Sequence, residues 1–252
     1  MNRQQIVRRL FIAAAFYLPF SASTFAATHT ETHPFAVKLT ASRVIYDPAR
    51  TGGVSLGVSN KQDYPILVQS VVMDASRKKH GSFIITPPLF RLDAGQESRL
   101  RIIGTGGNYP KDRESLNWIC VKGIPPKGDD LWAGDAKKNN TRDVNLNIEV
   151  SVNSCIKLLI RPASVIGGVE SAARHVTWKL QGNHLIAHNP TPYYINVSSV
   201  RMGQTTASGE NYIAPFSDGI YAVNGKTISG DVNWKLVTDY GSEQDMKSVA
   251  AR

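Results

Sequence analysis

The sequence predicts an all-β protein made of two antiparallel sandwiches. Three observations predict it. Apolar residues recur at every second position in one segment after another. Clusters of Gly, Pro, Asp and Asn separate those segments at intervals of about ten residues. The same pattern resumes in a shorter second unit beyond Pro162. Alternation lines apolar side chains along one face of a strand, whereas a helix would scatter them around its circumference.

The first unit begins after a polar, patternless stretch at 27–34 (ATHTETHP), read as a loose start. Phe35, Val37 and Leu39 alternate, and Ser42 to Tyr46 (SRVIY) follows, closed by a turn at Asp47-Pro48. Val54, Leu56 and Val58 alternate after Gly52-Gly53, and Ile66, Val68, Ser70 and Val72 alternate after the turn at Asp63 to Pro65. Phe83 to Ile85 leads through Thr86-Pro87-Pro88 into Leu89 to Leu92, and Asp93-Ala94-Gly95 turns the chain into Arg99 to Ile103. Ser115 to Val121 carries Trp118 and Cys120. Strands at this spacing indicate a sandwich of immunoglobulin type. The polar stretch that follows, rich in Gly, Pro, Asn and Lys, reads as a long hairpin loop up to Arg142.

The longest alternation runs through residues 143–161. Val144, Leu146, Ile148, Val150 and Val152 occupy every second position, and the parity continues through Ile156, Leu158 and Ile160. As one strand this segment would reach roughly 60 Å at about 3.3 Å per residue, far beyond the usual strand of a globular domain. Part of it is therefore expected beyond the domain's own core or at a sheet edge, where a regular apolar row is a template for pairing with another chain. An ordinary core strand broken at Asn153-Ser154 gives the same alternation.

Arg161-Pro162 ends the segment, because proline cannot continue a ladder, and the domain boundary is placed there. Residues 163–174 are mostly small and contain Gly. In the second unit Val176, Trp178 and Leu180 alternate up to the turn Gln181-Gly182-Asn183. His184 to His188, Tyr193 to Val200, Tyr212 to Phe216, Gly219 to Val223 and Val232 to Thr238 complete it. The expected domains are thus 27–162 and 163–252, preceded by an export signal at 1–26. In that signal Arg3, Arg8 and Arg9 precede an apolar run from Leu10 to Phe20, too short to span a bilayer, and Thr24-Phe25-Ala26 sets cleavage after Ala26. The mature chain is expected to be exported and not membrane-embedded.

The chain carries 29 basic and 20 acidic residues; the signal removes three basic and no acidic ones, leaving +6. That balance suits an acidic partner surface without requiring one, and no nucleic-acid motif accompanies it. The two cysteines, Cys120 and Cys155, are expected to form one disulfide in an oxidising compartment. No catalytic, metal or cofactor site is expected. The histidines supply no third ligand to His184 and His188, and no nucleophile elbow, phosphate loop or paired carboxylates appear. Two cations stand in apolar strand settings, Arg43 in Arg-Val-Ile-Tyr and Lys157 in Cys-Ile-Lys-Leu-Leu-Ile. Such a cation reaches solvent, pairs with an acid, or receives an anionic ligand.

Seven segments in order then make a resemblance specific: Ser42 to Tyr46, Thr86 to Leu92, Asp112 to Ser115, Gly123 to Lys127, Cys155 to Pro162, Asn189 to Tyr194, and Asp239-Tyr240-Gly241. Over essentially the whole mature chain the sequence resembles the periplasmic chaperones of the chaperone–usher pathway, the PapD-like family. It is most similar to the long-loop branch, which serves fibrillar or non-fimbrial adhesins and capsule-like surface fibres. The resemblance implies two immunoglobulin-like domains in an L or boomerang arrangement and a periplasmic location. It also implies fimbrial or fibrillar subunits and an outer-membrane usher as partners. Val144, Leu146, Ile148, Val150 and Val152 would then be the donor strand that completes a subunit. Arg43 and Lys157 would bind the subunit's C-terminal carboxylate. Glu114, Arg161 and Asp239 would bridge the domains. The exposed apolar rows add self-association of the free chain as an expectation. The alternative from another class is a secreted two-domain β-sandwich adhesin, which would not need the basic pair at the end of the row.

Overall fold

The protein is described by a computed structural model covering residues 30–126, 130, 132, 146–224 and 230–251; for 30–35 and 146–149 the backbone alone is described. The first unit contains eleven strands among the described residues: β1 (Thr30–Phe35), β2 (Lys38–Leu39), β3 (Arg43–Tyr46), β4 (Val54–Ser59), β5 (Ile66–Met73), β6 (Phe83–Thr86), β7 (Leu89–Leu92), β8 (Glu97–Gly104), β9 (Ser115–Ile124), β10 (Leu146–Ser151) and β11 (Asn153–Ile160). One sheet has the order β3-β11-β9-β5-β7 and the other β2-β4-β8-β6. The alternation explains the packing between them. Leu56, Val58, Ile66, Val68, Leu100 and Ile102 all point inward and are buried. Strand β9 is apolar on both faces because both are covered. Ile119 and Val121 enter the sandwich core, while Leu116, Trp118 and Cys120 join Leu159 in a second cluster on the outer face.

The second unit opens with a short helix, α1 (Val169–Ala173). Nine strands follow: β12 (Thr177–Gln181), β13 (His184–Asn189), β14 (Ile195–Met202), β15 (Thr205–Gly209), β16 (Tyr212–Ile213), β17 (Ser217–Val223), β18 (Val232–Val237), β19 (Glu243–Ser248) and β20 (Ala250–Ala251). They form the order β19-β18-β14-β15-β17-β13-β12-β20, with β16 beside β14. Strands far apart in that order still share a core: the Trp178 ring of β12 lies 5.7 Å from Trp234 of β18 and 5.5 Å from Tyr221 of β17. The sheet therefore folds over on itself as a sandwich. The β12–β13 hairpin closes through Gly182 at φ +57°, the left-handed value a two-residue hairpin turn requires.

The structure departs from the sequence expectations in several places. The long run is two strands divided at Val152, one residue before the expected break, and residues 143–145 lie outside the described residues. The supposed loose start contains β1, which pairs with β10 in parallel, Thr30 opposite Leu146 through Phe35 opposite Ser151. The Phe35-Val37-Leu39 alternation is accordingly split between β1 and β2. Strand β9 continues three residues beyond Val121, into the supposed loop, most of which lies outside the described residues. Residues 163–174 include α1. The expected strand from Tyr212 to Phe216 is only β16, because Phe216 sits at φ +52°, which no strand residue adopts. Strands β15, β19 and β20 had no apolar row to announce them. Their residues alternate weakly or are charged, and backbone pairing with β14, β17, β18 and β12 holds them.

Candidate functional site

Strands β3 and β11 pair in parallel with Arg43 opposite Lys157. This register puts both cations side by side on the outer face of the five-stranded sheet, the face that turns toward the second unit. Both are buried, at 9 % and 7 % exposure. Each is held by carbonyl-type acceptors from the other unit. Arg43 Nη1 donates to Val237 O at 3.1 Å, and Lys157 Nζ donates to Asn211 Oδ1 at 2.9 Å and to Asn211 O at 3.3 Å. The Lys157 ammonium also lies 5.2 Å from the Tyr212 ring centre and 5.8 Å from that of Trp118, its register partner on β9.

Among the described residues neither cation makes an ion pair with a carboxylate. Arg43 Nε is buried without a hydrogen-bond acceptor. Burial, then the neighbouring Arg43 and Arg77 charges, push the Lys157 amine down to about 8, against a weak opposing pull from Glu210. Burial also lowers Arg43, opposed by Asp239. These two adjacent buried cations repel each other, and among the described residues no carboxylate stands within ion-pair distance of either. A carboxylate entering the cleft would relieve both at once.

The hinge beside this pair is built from strand ends. Ile160 of β11 pairs with Ser115 of β9, so Arg161 and Glu114, the next residues outward, meet. Arg161 Nε donates to Glu114 Oε1 at 2.5 Å, and its Nη1 and Nη2 hold Asp239 Oδ2 and Oδ1 at 2.6 and 2.8 Å. The second Glu114 oxygen accepts the Tyr194 backbone N–H at 2.6 Å, and the Glu114 N–H donates to Pro192 O at 2.9 Å. Burial raises the Glu114 carboxyl, with Arg161 opposing. Burial also works against the Arg161 charge, yet Asp239 and Glu114 outweigh it and hold the guanidinium above its ordinary value. Asp239 reaches this position on a tight turn in which Gly241 passes Ser42 of the first unit. A Cβ there would meet Ser42 Oγ at 2.6 Å, and φ is +85°.

The cysteines face each other across β9 and β11 with Cα atoms 4.0 Å apart, and they form a disulfide. On the N-terminal side of Cys155 lies β10, which among the described residues joins neither sheet of the sandwich and pairs with β1. Val150 is 42 % exposed and Val152 is half-buried. Leu146 and Ile148 share the Val150 parity on β10, and Val144 lies outside the described residues. The structure thus brings Arg43 and Lys157 together and Glu114, Arg161 and Asp239 together, with β10 leading away from the cleft. Among the described residues no group of three or more His, Cys, Asp or Glu could hold a metal ion, and no helix is long and apolar enough to cross a membrane. Sequence reasoning did not find Asn211 or Arg77. Asn211 is 54 residues from the lysine it meets, and Arg77 lies in a polar loop with no pattern.

Comparison with known proteins places these features. Residues 36–166 match the model of the N-terminal domain of PapD, a pili and flagellar-assembly chaperone, and residues 171–248 match the C-terminal domain of PapD, a pili-assembly chaperone. The chain is 46 % identical over 244 residues to the chaperone protein AggD of Escherichia coli, covering 96 % of this chain and 95 % of that one. The solved E. coli chaperone DraB superimposes with a TM-score of 0.74 at 45 % identity, over 88 % of this chain and 100 % of that one. The Salmonella enterica SafB chaperone, solved in complex with the SafA pilin, gives 0.74 at 42 % identity, over 87 % and 99 %.

Proposed function

Because the chain belongs to the PapD-like family of pilus-assembly chaperones, we propose that it is a periplasmic chaperone that completes incomplete fimbrial or fibrillar subunits with its own strand and delivers them to an outer-membrane usher. Residues 1–26 are removed on export, after Ala26. A solved relative complexed with a pilin supports the subunit as client, and nothing favours the adhesin alternative.

The mechanism is strand addition. Ladder hydrogen bonds along β10 supply affinity without regard to sequence, and the Val144, Leu146, Ile148, Val150 and Val152 row fills alternate pockets in the client. Five such side chains, at about 1.5–3 kcal/mol each, provide on the order of 10 kcal/mol before ordering costs. Pairing alone leaves the register open, and a slip by one residue would turn the whole row to the wrong face. A terminal carboxylate held by Arg43 and Lys157 at the base of the row fixes it. The Arg161 bridge holds the second unit, with its Val237 and Asn211 acceptors, against those cations. Nothing in this cycle calls for a cofactor or a chemical step; release follows from exchange with another subunit's strand.

The observation that carries this reading is the buried Arg43–Lys157 couple, without a carboxylate partner among the described residues, at the base of the strand that exposes Val150. Arg43→Ala and Lys157→Ala should each abolish recovery of soluble client from periplasm while the variant keeps the wild-type melting temperature to within a few degrees. Equal client recovery with either variant would refute the carboxylate assignment.

A further inference from the structure

The loop between β5 and β6 places a third cation at the cleft. Asp74 organises it: Oδ1 accepts the Lys78 N–H at 3.0 Å and the Ser76 hydroxyl at 2.8 Å, and the Asp74 N–H donates to Lys79 O at 2.8 Å. This turn holds Arg77 at φ +58°, a left-handed value that long side chains rarely adopt. Its guanidinium carbon lies 3.9 Å from the centre of the Trp118 ring. Trp118 Nε1 donates to Ala75 O at 3.2 Å, so ring and loop are fixed to each other. Lys157 lies over the same ring. Arg77 is exposed, unlike Arg43 and Lys157, and among the described residues it too makes no ion pair. Backbone strain and repulsion toward Lys157 both work against this placement in the free protein. Sites that retain such strain are those where the surroundings impose it for a use.

We propose that Arg77 is a third recognition residue of the cleft, one that reads an acidic side chain on the client's C-terminal residue while Arg43 and Lys157 hold the terminal carboxylate. This rests on the carboxylate reading above. The geometry suits a C-terminal Asp or Glu. Its two negative groups branch from one Cα, just as the cations flank one aromatic ring. Arg77 approaches from the solvent side, so it adds selectivity to a binding event that the buried pair makes on its own.

The test is calorimetric titration of the mature chain with synthetic alternating Val/Ser peptides of about eight residues that end in Ser, in Glu, or in Ser amide. Wild type should bind the Glu-ended peptide about fivefold more tightly than the Ser-ended one, and the amide weakly. Arg77→Gln should erase the preference for the Glu-ended over the Ser-ended peptide, and Arg77→Lys should restore part of it. A preference that survives in Arg77→Gln overturns the Arg77 assignment alone. So does equal wild-type binding of Glu- and Ser-ended peptides alongside a weak amide. Amide and acid peptides that bind wild type equally overturn the carboxylate reading and this assignment with it.

Discussion

Strands β10 and β11 carry one continuous alternation, yet they have opposite fates. In β11, Leu158 and Ile160 are completely buried in the first sandwich between β3 and β9. In β10, two residues before the break at Val152, Val150 is 42 % exposed, and among the described residues the strand's ladder partner is β1. The same pattern thus serves the fold in β11 and leaves Val150 exposed in β10. An apolar period determines which face of a strand is apolar, and the rest of the chain decides whether anything covers it. The division falls three residues before Cys155, where the β9–β11 ladder ends with Asn153 opposite Lys122.

This comparison can be broken at several points, and the largest effect should come from the buried half. Leu158→Ala should cost about 3–5 kcal/mol of stability in urea unfolding, whereas Val150→Ala should stay within about 0.5 kcal/mol and weaken client binding instead. Comparable destabilisation by both would mean that β10 belongs to the fold. Replacing both cysteines by serine should cost about 3–4 kcal/mol in the chain-entropy model for a 35-residue separation, read from the same unfolding curves. Asp239→Asn should cost about 2 kcal/mol, less than for a fully buried pair because the Asp239 side chain is 23 % exposed. It should also loosen the second unit against Arg43, seen as faster amide exchange at the hinge.

A pH dependence tests the cleft itself. The Lys157 amine titrates near 8 in the folded protein against an ordinary 10.5. Between those values the unfolded chain keeps the proton and the folded chain has shed it, so the stability of the free protein rises with pH across that window. Affinity for a carboxylate-ended peptide runs the other way and falls by up to about tenfold per pH unit above 8. Calorimetry from pH 7 to 10 reads it directly. Flat affinity across that range would place the carboxylate elsewhere.

Much of this organisation was legible because it is local. Strands with a buried face announced themselves by parity, as at Ile66 to Val72 and Val54 to Val58. Arg43 and Lys157 stood out as cations among apolar neighbours. What stayed hidden is held by backbone pairing or by distant contacts. Strand β1 is mostly Thr, Glu and His, with Pro34 and Phe35 at its end, and is defined by β10. Strand β19 is an edge strand of mostly polar and charged residues along β18. Asn211 meets Lys157 across 54 residues, and Arg77 reaches Trp118 through the geometry of a polar turn.

The measurement that tests the central claim most directly is refolding of a denatured fimbrial subunit in the presence of either wild type or the Ile148→Asp, Val150→Asp double variant, followed by gel filtration. The account predicts a one-to-one complex with wild type, none with the variant, and the same unfolding free energy for both chaperones to within about 0.5 kcal/mol. A complex that forms equally well with the variant, or a variant that fails to fold, would show that β10 is not the strand given to the partner.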